Sequence, residues 1–147
     1  MSNITLVTGI WDIGREELTE GWSRPYQHYL DKFEQLLKCD ENMIIFGDEE
    51  LQKFVFERRS HDNTQFILRP MSWFRESEFF DKIQKIRTND NWQNLAGWLK
   101  DSTQGSLELY NPLVMSKVFL LNDARLYDKF GSDYIFWIDM LIGRQIF

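Results

Sequence analysis

Apolar and polar positions along this chain fall into blocks with two different periods. In "ITLVTGIWDIG", residues 4 to 14, Ile4, Leu6, Val7 and Ile10 stand with Thr5 and Thr8 on both parities, which is how a strand buried on both faces reads. Gly14 breaks that run, and the polar loop "REELTEGWSRP" follows. From Tyr26 the period changes. Tyr26, Tyr29, Leu30, Phe33, Leu36 and Leu37 recur at helical spacing, behind Pro25, whose missing N–H costs nothing in a first helical turn. "NMIIF" is a second short strand, ended by Gly47. Asp48 can cap the helix "EELQKFVFERR", with Glu49 and Glu50 at its positive end and Arg58 and Arg59 at its negative end. "TQFILRP" is a third strand, closed by Pro70. Strands alternating with helices predict an α/β fold with parallel strands and crossover helices.

The next stretch is less regular. "SWFRESEFFDKIQKIRT" predicts a helix with Phe79, Phe80, Ile83 and Ile86 on one face, and "NDNWQNLAGWLKDSTQGS" carries too many breakers for an assignment. Asn111 as cap and Pro112 at the first helical position then predict a helix through "LVMSKVFLLNDARLYDKF", terminated by Gly131. "DYIFWID" is the fourth strand. No internal repeat or low-complexity segment is present.

Parallel α/β sheets bind ligands beyond the C-terminal ends of their strands. That rule selects Asp12, Gly14 and Arg15 after the first strand, Gly47 and Asp48 after the second, Arg69 after the third and Asp139 after the fourth. The Asp139 carboxylate is a hard oxygen donor suited to Mg²⁺ or Mn²⁺; the alternative is that it caps a following turn. Arg15 and Arg24 could clamp phosphate oxygens, or sit in a solvated loop with Glu16, Glu17 and Glu20. Lys117 lies in a mostly apolar helix, where its stem could snorkel or its ammonium could face the cleft. His28 and His61 pair with no ligand set, Cys39 has no activating neighbours, and no P-loop or spaced-glycine dinucleotide fingerprint occurs.

Composition narrows the classes. A chain of 147 residues suits one domain, and one cysteine forbids an intrachain disulfide. The net charge of -6 argues against broad nucleic-acid binding, which needs a cationic face, yet leaves room for one diphosphate held by a metal and a cation or two. No signal peptide opens the chain and no apolar run approaches a membrane span, so a cytoplasmic location is expected. Aromatics at 16% exceed what a small core absorbs, which predicts that some rings line a pocket or a partner surface.

Taken together, "TLVTGIWDIGR", "GWSRPYQHYLDKF", "NMIIFGDEEL", "FFDKIQKIRT", "YNPLVMSKVFLLNDA" and "SDYIFWID" resemble the HtrL/YibB family of bacterial proteins, from about residue 4 to residue 139. Members of that family look like glycosyltransferases of the GT-A type and are associated with genes for lipopolysaccharide core and other surface glycans. The resemblance implies a three-layer, Rossmann-like, mostly parallel sheet. On it, residues 1 to 147 would form a single domain, the nucleotide-sugar-binding part of a GT-A-like fold incomplete at its C-terminus. It implies that Thr8, Gly9 and Asp12 neighbour the base and ribose, that Arg15 approaches the diphosphate, that Lys117 faces the nucleotide-sugar, and that Asp139 binds Mn²⁺ or Mg²⁺. Partners would be a nucleotide-diphospho-sugar donor and a glycan or glycolipid acceptor, at the inner face of a membrane with peripheral association. The family pattern continues with a glycine-rich turn after "WID", where this chain has Met140-Leu141 and ends at Phe147. The expectation is therefore a donor half lacking the acceptor site, any catalytic base and a further metal ligand, and inactive alone. A non-catalytic binding module and a nucleotidyltransferase remain as alternatives.

Overall fold

A computed structural model describes residues 2–139. The Met140-Leu141 departure and the segment to Phe147 lie outside the described residues. The chain forms two compact units, each assembled from separate stretches of sequence: the first from the segment through Trp11, Gln27–Pro70 and the part from Lys117 onward, the second from Asp12–Tyr26 and Met71–Ser116.

The first unit is built on four parallel strands, β1 (Ile4–Gly9), β2 (Asn42–Gly47), β3 (Thr64–Leu68) and β4 (Tyr134–Trp137), in the order β3-β2-β1-β4. β1 pairs β2 with Val7 opposite Ile44, β2 pairs β3 with Ile44 opposite Gln65, and β1 pairs β4 with Val7 opposite Trp137. From β1 the chain steps outward through α1 (Tyr26–Leu36) and α2 (Glu49–Phe56) to β3, then returns through α7 (Tyr110–Tyr127) to lay β4 on the far side of β1. Right-handed crossovers place α1 and α2 on one face of the sheet and the second half of α7 on the other, a three-layer, Rossmann-like arrangement. Neighbouring residues of β3 report both layers. Thr64 receives a bond from Arg59, which follows α2, while Gln65 donates to the carbonyl of Tyr127 at the end of α7. Val7, Met43, Ile44, Ile45 and Phe46 are fully buried between the layers, with Phe33, Leu36, Leu51 and Val55 from one side and Leu120 and Ala124 from the other.

β1 is shorter than its apolar run. Pairing ends at Gly9, and Ile10 and Trp11 continue as buried residues outside the strand. Burial wrote the pattern there, rather than sheet hydrogen bonds. Arg59 is the main polar tie of this unit. It is 8% exposed and donates to Thr64 Oγ1 at 2.8 Å and to the carbonyls of Leu37 at 3.0 Å, Cys39, Glu41 at 2.6 Å and Asn63 at 3.3 Å. It thus stitches the α1–β2 connection to the α2–β3 connection.

The second unit holds a 3-10 turn at Arg15–Glu17, α3 (Met71–Arg75), α4 (Phe80–Arg87), α5 (Asp90–Gln93), a 3-10 turn at Leu99–Asp101, α6 (Thr103–Ser106) and the first turns of α7. The single helix expected over residues 72 to 88 is two, because Ser77 Oγ and Ser77 N both bond back to the Phe74 carbonyl and close a turn. The unassigned stretch 89 to 106 contains short helices set by local caps: Asn89 Oδ1 accepts from Asn91 N and Trp92 N, and Ser102 Oγ accepts from Gly105 N. α7 begins at Tyr110, ahead of the expected Asn111 cap. The Asn111 side chain donates instead to the Gln104 carbonyl at 2.9 Å, and Pro112 lies inside the first turn, where backbone N–H groups have no helical acceptor. Phe74 is fully buried, with Leu99, Leu107 and Leu109 close to it in burial.

Candidate functional site

The strand order reverses direction between β1 and β4, which makes the C-terminal edge there the switch point of the sheet. Two residues converge on it. Asp139 follows β4 by two positions, and Ile138 N still donates to the Val7 carbonyl at 2.8 Å, so the strand geometry carries on to the acid. Lys117 comes from α7, and its Nζ donates to Asp139 Oδ1 at 2.6 Å. The Trp137 indole Nε1 donates to the same oxygen at 2.9 Å, and the Lys117 ammonium lies 5.9 Å from the Trp137 ring centre. Asp139 Oδ2 accepts no hydrogen bond among the described residues, and the side chain is 46% exposed against 27% for Lys117. The carboxylate is therefore held through one oxygen and presents the other.

A second ion pair ties the same helix to the end of the opposite edge strand. Arg69, just after β3, donates through Nη2 to Asp123 Oδ2 at 3.2 Å, and its guanidinium carbon lies 5.6 Å from the centre of the Phe46 ring. Trp11 Nε1 donates to the Arg69 carbonyl at 2.8 Å, so its indole lies across the strand ends. The alternation of the strands, carried through the register, places Val7, Gly9, Phe46, Trp137 and Asp139 on the α7 face.

That alternation separates two residues expected to act together. Gly9 is on the α7 face beside the Lys117–Asp139 pair's strand, and a Cβ there would stand 2.6 Å from the Trp11 ring. Thr8 points to the opposite, α1 and α2 face, is 1% exposed, and its hydroxyl oxygen has no hydrogen-bond partner among the described residues. Asp12 and Arg15 belong to the second unit. Asp12 Oδ1 accepts from Gly14 N at 3.2 Å, a local turn bond, and the Arg15 carbonyl accepts from Leu18 N and Arg24 N. Trp137 is the contact that strand-end reasoning missed. Its signal was present, since it stands two residues before Asp139 and so on the same face of the strand. Asp123 as the partner of Arg69 left no such signal, because helix and strand meet only in the fold.

Burial raises the pKa of Asp139, but the hydrogen bonds from Lys117 and Trp137 and the charge of Lys117 outweigh it and hold the carboxyl below its ordinary value. The folded state thus binds this proton more weakly than the unfolded chain. The contribution to stability is present above an unfolded pKa of about 4 and is lost as pH falls through the lower folded value. Asp139→Asn is expected to flatten the decline in urea midpoint below about pH 4. An unchanged acid slope in the variant would show that the pair contributes nothing. Asp128, whose carboxyl burial raises and whose bonds from Ser132 and Phe130 lower by more, titrates in both proteins and cancels in the comparison.

Among the described residues no group of three or more His, Cys, Asp or Glu could hold a metal ion. Asp139 offers one oxygen that no described residue engages. Such a site suits a divalent ion that brings phosphate oxygens with it, since Mg²⁺ is commonly held by one or two carboxylates plus substrate phosphates.

Fold and site together define an all-parallel α/β protein with a lysine–aspartate pair at the switch point of its sheet. The sequence model of a family described as "Bacterial protein of unknown function (HtrL_YibB)" matches residues 2–145, and the chain belongs to that family. No curated protein and no solved structure matches the chain.

Proposed function

We propose that this chain carries the donor-binding portion of a metal-dependent glycosyltransferase that builds lipopolysaccharide or another surface glycan from a nucleotide-diphospho-sugar. The observation that supports this reading best is the Lys117–Asp139 pair at the switch point, where parallel α/β sheets take their ligands. The surface-glycan setting, the glycan or glycolipid acceptor, and a cytoplasmic location at the inner face of a membrane come from the family resemblance. No helix of the described residues is long and apolar enough to cross a membrane.

In this reading the Lys117 ammonium leaves Asp139 Oδ1 for the diphosphate oxygens and stabilises the charge that grows on them as the sugar–oxygen bond breaks. Trp137 keeps its bond to Oδ1 and holds the carboxylate in place while Oδ2 faces the ligand. A divalent ion bound at Asp139 supplies further neutralisation of the leaving group. The nucleotide roles of Thr8, Gly9, Asp12 and Arg15 remain part of the proposal. For Gly9 the close approach of Trp11 favours a packing role, and for Thr8 the side chain lies on the other face from Asp139.

Thermal melting over a panel of UDP- and GDP-sugars, with and without Mn²⁺, tests the reading. One donor is expected to raise Tm further with Mn²⁺ than without, and Asp139→Ala to abolish that metal-dependent increment alone. Flat curves across the panel would sink it.

A second reading, a non-catalytic binding module, draws on the exposed rings of Tyr134 and Phe136, stacked on one face of β4, and on exposed Val118 and Phe119 of α7. A mass that rises with concentration in light scattering, with no response to nucleotides, would favour it over the transferase.

A further inference from the structure

The second unit has an open groove of about 530 Å³ at the elbow between α4 and α5, within the size range of single-ligand sites. Its walls are of two kinds. Lys82 and Lys85 stand three residues apart on α4 and share a face, and neither ammonium has an ion-pair or hydrogen-bond partner among the described residues. The Asn91 side-chain amide and the Trp92 indole N–H, also in the lining, are equally without hydrogen-bond partners among the described residues. Asn89, whose Oδ1 is taken up by capping α5, completes the polar lining, and the rest is apolar: the Trp92 ring, Ile86 at 46% exposed and Leu95 at 75% exposed.

No acid lines the groove, although the whole chain carries a net charge of -6. Elsewhere in this protein Arg58 has Glu34 and Arg75 has Glu108 at the guanidinium, whereas these two lysines stand beside an isoleucine and a leucine in a lining without an acid. The lining presents donors and no charged acceptor, so its complement is an anion. The apolar floor requires that anion to carry a chain or ring.

We propose that this groove binds an anionic amphiphile, a phosphate or carboxylate head between Lys82 and Lys85 with its hydrocarbon over Ile86, Trp92 and Leu95. The inference does not depend on the donor site, which lies in the other unit.

Octyl phosphate, titrated calorimetrically into the full chain at concentrations where it is monomeric, is the probe. It is expected to bind once, with a Kd on the order of 1 mM or tighter for a ligand of its size. Lys82→Gln with Lys85→Gln is expected to weaken binding about tenfold, the scale of two exposed charge contacts. Leu95→Ser is expected to weaken it several-fold without touching the fold, because that side chain is already exposed. Inorganic phosphate and neutral octyl glucoside are the control arms and are expected to bind at least tenfold more weakly. The absence of saturable binding overturns the proposal. So does inorganic phosphate binding as well as octyl phosphate, which would make this a plain anion site. Octyl glucoside binding as well, or a double lysine variant that binds normally, would make it a nonspecific apolar surface and would overturn the proposal equally.

Discussion

Replacing Arg59 with methionine is expected to lower the unfolding free energy by about 3 kcal/mol, the penalty range for buried polar groups left without partners. In a chain of this length that is a fall in Tm of about 10 °C. Methionine fills much of the same volume, so the loss isolates the hydrogen bonds from the packing. The guanidinium reaches four carbonyls, those of Leu37, Cys39, Glu41 and Asn63, and the Thr64 hydroxyl from a position 8% exposed. Burial lowers its pKa, against the opposing charges of Cys39 and Asp40. The site tolerates a buried cation because carbonyl dipoles surround it, and those carbonyls lose their donor when it goes. Arg59→Lys is expected to recover less than half of the loss, since one ammonium cannot span a fork of five acceptors. Urea unfolding followed by circular dichroism measures both. A methionine variant within about 0.5 kcal/mol of the parent, the usual scale of surface substitutions, would show that water replaces the guanidinium without cost.

Gly9→Ala is expected to cost about 1–3 kcal/mol, the range for overpacking a well-filled site. The added Cβ would lie 2.6 Å from Trp11 Cη2 and 2.9 Å from the Phe46 carbonyl oxygen. Neither gives way easily. The Trp11 indole is anchored by its bond to the Arg69 carbonyl, and Phe46 belongs to the central strand β2. Relief by moving Trp11 breaks that anchor, so the variant should also show altered tryptophan fluorescence. Combining Gly9→Ala with Trp11→Leu separates the two clashes. If the ring is the obstacle, the double variant is more stable than the sum of the single effects. Strict additivity would assign the cost to the β2 backbone.

The strands and the two amphipathic helices α1 and α2 were legible in the sequence because each writes its burial into a short, regular period. Met43 to Phe46 is apolar on both parities, and the strand is buried on both faces. α2 came with its Asp48 cap, whose carboxylate accepts from Leu51 N at 2.8 Å. The boundaries failed where burial and hydrogen bonding part company. Ile10 and Trp11 extend the apolar run beyond β1, and the start of α7 was misplaced because Asn111, a good cap by type, is engaged with Gln104. The helical period over residues 72 to 88 was legible, but not its division in two by the turn that Ser77 closes, and the short helices between residues 89 and 106 were illegible because they are set by single side-chain bonds to nearby backbone, from Asn89 and Ser102, and not by any period.

The acid at the end of β4 and the lysine in α7 were each visible as candidates by position. By itself the sequence determined the parallel α/β class, the family, and the edge of the sheet on which chemistry should be sought. The class and the edge follow from local periodicity and from the alternation of strand and helix, which a linear pattern carries in full, and the family from the resemblance of whole motifs. Only the tertiary structure decided that Lys117 meets Asp139 across 22 residues of chain, that Trp137 shares the same oxygen, and that Thr8 turns away from them. The physical reason is that a pairing between helix and strand depends on strand order and register. The return of the chain past β1 to place β4 at its side is a long-range event, and no spacing within either element encodes it.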